Sequence, residues 1–275
     1  MNQTFEAKRL LLLIQKHWAE NKKRYGLAFI ALIGMWVIWY LFILLIADSD
    51  SDYPLAPAVQ EITYYFTLFL VGAFYANQFF SDFGSKSKTA NFLLIPASTL
   101  EKLLCAIFFT VPFFFAAFTL AFYIADVLMV TMANLFHSAY SNGNNEQVAN
   151  VFKGYDIPKD AVKYMLLISL TVQAWYLLGS AYFKKYSFVK TAIAQFAGMI
   201  FLVLLFSFFN DVVMPNGEYD DINGTFGYVI HEGEASGKIV QLPGWIGAIL
   251  RALFMYGFPL LFWYVTYLRL KEKEV

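Results

Sequence analysis

The sequence predicts an all-α integral membrane fold: six transmembrane helices, an N-terminal amphipathic interfacial helix, and a small outer β-hairpin segment before the last helix. Three observations carry this reading. Of the 275 residues, 59% are hydrophobic, 20% aromatic and only 15% charged, whereas soluble domains carry roughly 25% charged residues. Apolar runs recur at the length a bilayer demands, about 20 residues at a rise of about 1.5 Å each. Lys and Arg gather in alternate connecting segments, which sets orientation. The whole chain, 1–275, reads as a single transmembrane domain without a soluble catalytic unit.

Residues 1–25 pattern as an amphipathic helix. Ala7, Leu10, Leu11, Ile14 and Trp18 share one face, with Arg9, Lys16, Glu20 and Lys23 opposite and Lys22 in the last basic cluster. Such a helix lies in the inner membrane surface before turning into the first span; the competing reading is a cytosolic packing helix. Its charges run to Arg24 with no small-residue cleavage site after the next apolar run, unlike a signal peptide. The first span covers 27–47 and stops at the acidic Asp48 to Pro54 stretch. The second covers 59–80, with Glu61 at one end and Asn77 and Gln78 at the other. The third, 103–130, contains Pro112, which bends it by removing a backbone donor. The fourth to sixth cover 162–183, 191–209 and 244–268, the last enclosing Arg251.

With the N-terminus inside, the inner segments hold Lys8, Arg9, Lys16, Lys22, Lys23, Arg24, Lys86, Lys88, Lys102, Lys184, Lys185, Lys190, Arg269, Lys271 and Lys273. The outer segments hold Lys153, Lys159, Lys163 and Lys238. Both termini are therefore expected in the cytoplasm. The outer segments are 131–160, with a Ser-Asn-Gly-Asn-Asn turn at 141–145, and 210–243, where 228–231 and 238–242 pattern as a β-hairpin.

Chemistry is sparse. Lys plus Arg equals Asp plus Glu at 20 each, so no basic excess points to nucleic acid. Cys105 stands alone, which excludes an intramolecular disulfide and a multi-cysteine metal site; it packs as a small hydrophobe. His17, His137 and His231 all fall outside the expected spans, so Gly179-Ser180 has no histidine to activate a serine nucleophile and reads as close helix packing. Residues 233–239 approach a phosphate-binding loop, but the glycine spacing is one short and Ile239 replaces the magnesium-binding hydroxyl. No catalytic residue and no metal ligand set is assigned. Ionisable groups at membrane depth are functional candidates: Arg251, Asp126 and Glu61 fall at similar outer depth and form a candidate outer charge network, the alternative being that Arg251 snorkels to the headgroups.

The inner connection 81–102 is the most informative segment. Phe92 to Ile95 is apolar enough to dock on a surface, Pro96 ends any preceding helix, and Ser98 or Thr99 can cap the next with Glu101 in its first turn. Together with the Lys16-His17-Trp18 helix, the Leu93-Leu94-Ile95-Pro96-Ala97-Ser98-Thr99-Leu100-Glu101-Lys102 run and the six-span layout, this resembles the permease subunits of type-2 ATP-binding-cassette exporters, of the compact kind in Bacteroidetes-like bacteria. The resemblance implies a coupling loop seated in a cytoplasmic ATPase subunit, with Asp82, Phe83, Lys86, Lys88, Phe92, Leu94, Pro96, Glu101 and Lys102 as its residues and Phe83 to Leu94 in contact. It implies a homodimer or pseudo-dimer of permeases in the bacterial inner membrane, contact with membrane lipid, and ATP and magnesium held by the partner rather than by this chain. The rival reading is a non-transporting scaffold or assembly factor whose outer segments bind a periplasmic partner; an intramembrane enzyme acting on lipid lacks the required groups.

Overall fold

The computed structural model describes residues 5–46, 55, 57–80, 95–140, 159–213, 217–220, 227–231, 237–241, 245, 249 and 252–274. The first helix, α1 (Ala7–Ile46), is 40 residues long, about 60 Å at 1.5 Å per residue and twice the hydrocarbon thickness. It corrects the expectation of an interfacial helix that turns into a separate span near residue 26: the helix is continuous there. The reason is a single packed stripe. Leu10, Ile14, His17, Asn21, Tyr25, Phe29, Leu32, Trp36 and Tyr40 are half-buried or buried at steps of three or four along its whole length, with Leu13 beside them, so one helical face is held throughout. The packed face also differs from the expected one, because Leu11 and Trp18 stay 60% and 45% exposed while His17 turns inward.

Helix α2 (Pro57–Phe79) follows, then α3 (Thr99–Phe108). The expected bend at Pro112 takes the form of a π turn at Phe109–Phe113, a known way of absorbing a missing backbone donor. Helix α4 (Phe114–Tyr140) continues from it. Helix α5 (Lys159–Tyr182) and helix α6 (Ser187–Val213) are separated by a tight turn, and α7 (Phe258–Glu274) emerges from a second π turn at Leu253–Gly257. Between α6 and α7, β1 (Gly217–Asp220), β2 (Gly227–His231) and β3 (Gly237–Gln241) form an antiparallel sheet in sequence order, Tyr228 facing Tyr219 on one side and Val240 on the other.

Among the described residues, four helices are long and apolar enough to cross a membrane: Ala7–Ile46, Thr99–Leu135, Val162–Tyr182 and Ser187–Leu205. Two further expected spans are helical but less apolar. Helix α2 carries Gln60, Glu61, Thr63, Thr67, Asn77 and Gln78, and α7 ends in Arg269, Lys271, Glu272, Lys273 and Glu274. Helix α6 argues most directly for lipid. Ile193, Phe196, Met199, Phe201, Leu202 and Leu205 are each about half or more exposed, on all sides of the helix. In water this would be untenable, whereas hydrocarbon is the natural surrounding of a helix apolar all round.

Packing divides into an upper and a lower layer. Trp36 and Tyr40 of α1 insert between Leu68 of α2 and Phe114, Phe118, Phe122 and Met129 of α4, with the Trp36 ring edge-on to Phe118 and Phe122 at 5.1 and 5.2 Å. Below, Ala73, Ala76 and Phe80 of α2 pack with Leu103 and Ala106 of α3, Tyr176, Leu177 and Ala181 of α5 and Leu270 of α7. Leu13, Ala97, Cys105 and Phe109 close the corner between α1 and α3, where the Cys105 thiol is buried as a small apolar group.

Candidate functional site

Ser98 caps α3 in the way the sequence suggests. Its backbone N–H donates to Glu101 Oε2 at 2.8 Å and its hydroxyl accepts from Glu101 N at 3.3 Å, a complete capping box. The second carboxylate oxygen does something the local sequence does not announce. Glu101 Oε1 accepts from the backbone N–H of Glu6 at 2.8 Å and from Arg9 Nη2 at 3.0 Å. One fully buried carboxylate thus satisfies the start of α3 and the start of α1 together, where both helix dipoles favour negative charge. The entry to α3 and the N-terminal helix become one unit.

From this clamp, α1 leads into an aromatic joint. His17 Nε2 lies 2.7 Å from the Tyr25 hydroxyl, with its ring 4.9 Å from Phe79 and 4.5 Å from Phe109. Trp18 meets Phe113 edge-on at 5.5 Å. Arg24 donates to Gln78 Oε1, joining α1 to the end of α2. Between α1, α2 and the α3–α4 helix runs a groove of about 990 Å³. One end is lined by Lys16, Glu20, Asn21, Lys22 and Arg24 among aromatic side chains such as Trp18 and Phe79, the other by Phe29, Leu32, Met35, Val71, Phe74 and Phe118; the charged groups gather at the first end and the second is apolar.

The α2, α5, α6 and α7 side is bound by short polar ties. The Ser187 hydroxyl bridges Asn77 Oδ1 at 2.8 Å and the Gly179 carbonyl at 3.0 Å. Gly179 itself abuts Thr191 so closely that a Cβ there would collide with it, and the Ser180 hydroxyl is satisfied by the Leu177 carbonyl at 2.6 Å; both belong to helix packing. At the α2 and α5 crossing, a Cβ on Gly72 would lie 2.8 Å from Gln173 Nε2. Gln173 is 1% exposed and neither amide atom has a hydrogen-bond partner among the described residues. At the chain end, Lys273 Nζ donates to the Ala181 carbonyl at 2.7 Å and Arg269 stacks over Tyr182 at 4.7 Å, basic groups completing the C-terminus of α5. Burial, then Arg269 and Lys184, bring the Lys273 ammonium down to about 8.

The expected coupling residues part company here. Asp82, Phe83, Lys86, Lys88, Phe92 and Leu94 lie outside the described residues. Pro96 is exposed, but Glu101 and Lys102 are 0% and 2% exposed. Both therefore lie inside the chain, behind the expected contact stretch at Phe83 to Leu94, which falls outside the described residues. Of the expected interfacial residues, Arg9 is engaged by Glu101, Lys16 pairs with Glu20 at 3.9 Å, Lys22 and Trp18 line the groove, and Lys23 is exposed. Of the outer network, Arg251 lies outside the described residues. Asp126 is fully buried and accepts from the Tyr40 hydroxyl at 3.3 Å, while Glu61 is half-buried near Tyr65. Sequence reasoning missed Glu6, His17, Tyr25 and Gly72 as site residues. Among the described residues, no group of three or more His, Cys, Asp or Glu side chains is arranged to hold a metal ion.

These features define the class: a helical, membrane-embedded protein with long apolar helices. Compared with family models, curated proteins and solved structures, the chain finds no match in any of the three.

Proposed function

We propose that the chain is the membrane-spanning permease subunit of an ATP-driven exporter. In this reading it works as a dimer in the bacterial inner membrane, with six spans and both termini cytoplasmic. A separate cytoplasmic ATP-binding-cassette subunit holds ATP and magnesium. The observation that carries the reading is the Glu101 clamp. A loop that transmits work must be fastened to what it moves, and residues 83–94 lead directly into a helix whose first turn is bonded to the start of α1. Motion imposed on that loop by nucleotide-driven closure would displace α1 and α3 together, a rigid-body change of the kind alternating access uses.

Gentle detergent extraction followed by mass spectrometry and an ATP hydrolysis assay tests this. An ATPase should copurify with the native chain and be lost from Phe92→Asp and Leu94→Pro variants. Recovery of no nucleotide-hydrolysing subunit from the native chain would overturn the reading. The scaffold alternative draws on the β1 to β3 sheet before α7, and a periplasmic partner recovered in place of an ATPase would favour it.

A further inference from the structure

We infer that the groove between α1, α2 and α4 is a binding site for one anionic phospholipid of the membrane, its headgroup at Lys16, Lys22 and Arg24 and its acyl chains along Phe29, Leu32 and Met35. The leaflet concerned, the inner one, rests on the orientation proposed above; the site itself does not.

Three properties of the groove match this occupant. Its volume, about 990 Å³, stands at the upper end of small-molecule sites, roughly 300 to 1,000 Å³, so it accommodates a large ligand. The lining is divided as a lipid is divided: the charged and amide side chains are Lys16, Glu20, Asn21, Lys22 and Arg24 of α1, joined by Gln78 of α2 and Lys102 of α3, and the α1 lining from Gly26 to Met35 is apolar. From Arg24 to Met35 is about 16 Å along a helix, close to half the roughly 30 Å hydrocarbon core, hence one leaflet. The charge at the polar end also has a sign. Lys16, Lys22, Arg24 and Lys102 line it against a single acidic residue, Glu20, and basic pockets between membrane helices on the cytoplasmic side suit anionic headgroups. Arg24 is oriented by Gln78 of α2, which holds one cation at the groove mouth. The aromatic walls from Phe74, Phe113 and Phe118 offer rigid apolar surface for acyl chains.

The test uses the full chain reconstituted in vesicles of equal parts phosphatidylglycerol and phosphatidylcholine. Native mass spectrometry reads retained lipid, and a photoreactive acyl chain on phosphatidylglycerol reports its location by peptide mapping. The native chain should retain one phosphatidylglycerol and cross-link it within residues 27–35 and 70–75. Lys22→Gln with Arg24→Gln should weaken retention about thirtyfold, as expected for two basic contacts to an anionic lipid. Ala31→Trp, which fills the apolar end, should abolish retention with the headgroup cations intact. Equal retention of both lipids, or cross-links spread over α6 instead, would overturn the site. So would cross-linking of the groove to residues 81–94 or to a second copy of the chain in place of lipid. Because none of these readouts involves an ATPase, failure here leaves the permease reading standing, and failure of copurification leaves this site standing.

Discussion

Glu101 is the residue that joins the starts of α1 and α3. Its carboxylate is fully buried and holds Ser98, Glu6 and Arg9, so removing it orphans two helix starts and a guanidinium. Loss of one partner of a buried pair costs about 3 to 5 kcal/mol. Arg9 remains 28% exposed, which places Glu101→Ala near the lower figure; Glu101→Gln, which still accepts one of these bonds, should lose roughly half as much. Thermal unfolding in detergent measures both, and trypsin cleavage at Lys8 and Arg9 should accelerate in step. Gly179 poses the opposite constraint, since an added methyl meets Thr191. Gly179→Ala should destabilise by about 1 to 3 kcal/mol, and Thr191→Gly in the same chain should recover most of it. Lys273 gives a pH signature. With its folded value brought down from 10.5 to about 8, the unfolded chain binds the extra proton between these values, so this group's contribution to stability rises as pH climbs through that window. Acylation of Lys273, followed by peptide mapping, should show a midpoint near pH 8 that moves upward in Lys184→Gln.

At the scale of elements, the crossing of α2 and α5 sets packing against polarity. Gln173 is buried against Gly72 without a hydrogen-bond partner among the described residues, a state that costs about 1 to 3 kcal/mol. Gln173→Met, similar in length and free of the amide, should therefore raise the unfolding temperature in detergent; a fall would mean that the amide is satisfied by water or a neighbouring subunit. The same crossing shows why legibility in the sequence was uneven. The Ser98 cap and the bend at Pro112 are local events, written within three or four residues, and both are visible from the chain alone. The bond from Glu101 to Glu6 and Arg9 joins residues more than ninety positions apart and leaves no local pattern. His17 reads in the sequence only as a residue outside the expected spans, because Phe79 and Phe109 are brought to it by the fold alone. The continuity of α1 was legible in principle in the stripe from Leu10 to Tyr40, but the basic cluster before Gly26 suggested a membrane boundary and a turn. Gly72 could not be read as a contact point, since a single glycine in a membrane helix names no partner.

Over the whole molecule, the permease reading makes α1 the part that both senses and moves. Its first turns are bonded to the helix that follows the 81–94 connection, its middle lines the groove, and Trp36 and Tyr40 anchor its far half against α4. On that reading a displacement entering at the 81–94 connection reaches α1 by way of the Glu101 clamp, to which α1 contributes the Arg9 guanidinium. Arg9→Met severs that step while leaving the Ser98 capping box intact, and it lies outside the 83–94 contact proposed for the ATPase. Cys105 is the single cysteine and is buried, so an added Leu11→Cys, at a site 60% exposed in the native chain, can be followed by maleimide labelling without background. The permease reading requires its labelling rate to change when ATP and magnesium are added to the copurified complex. In Arg9→Met the ATPase should remain bound and hydrolyse ATP while that change disappears; in Phe92→Asp the partner itself should be lost. A nucleotide response at Leu11→Cys that survives Arg9→Met would show that movement reaches α1 by another route, and the clamp would then be a fastening and not a transmission.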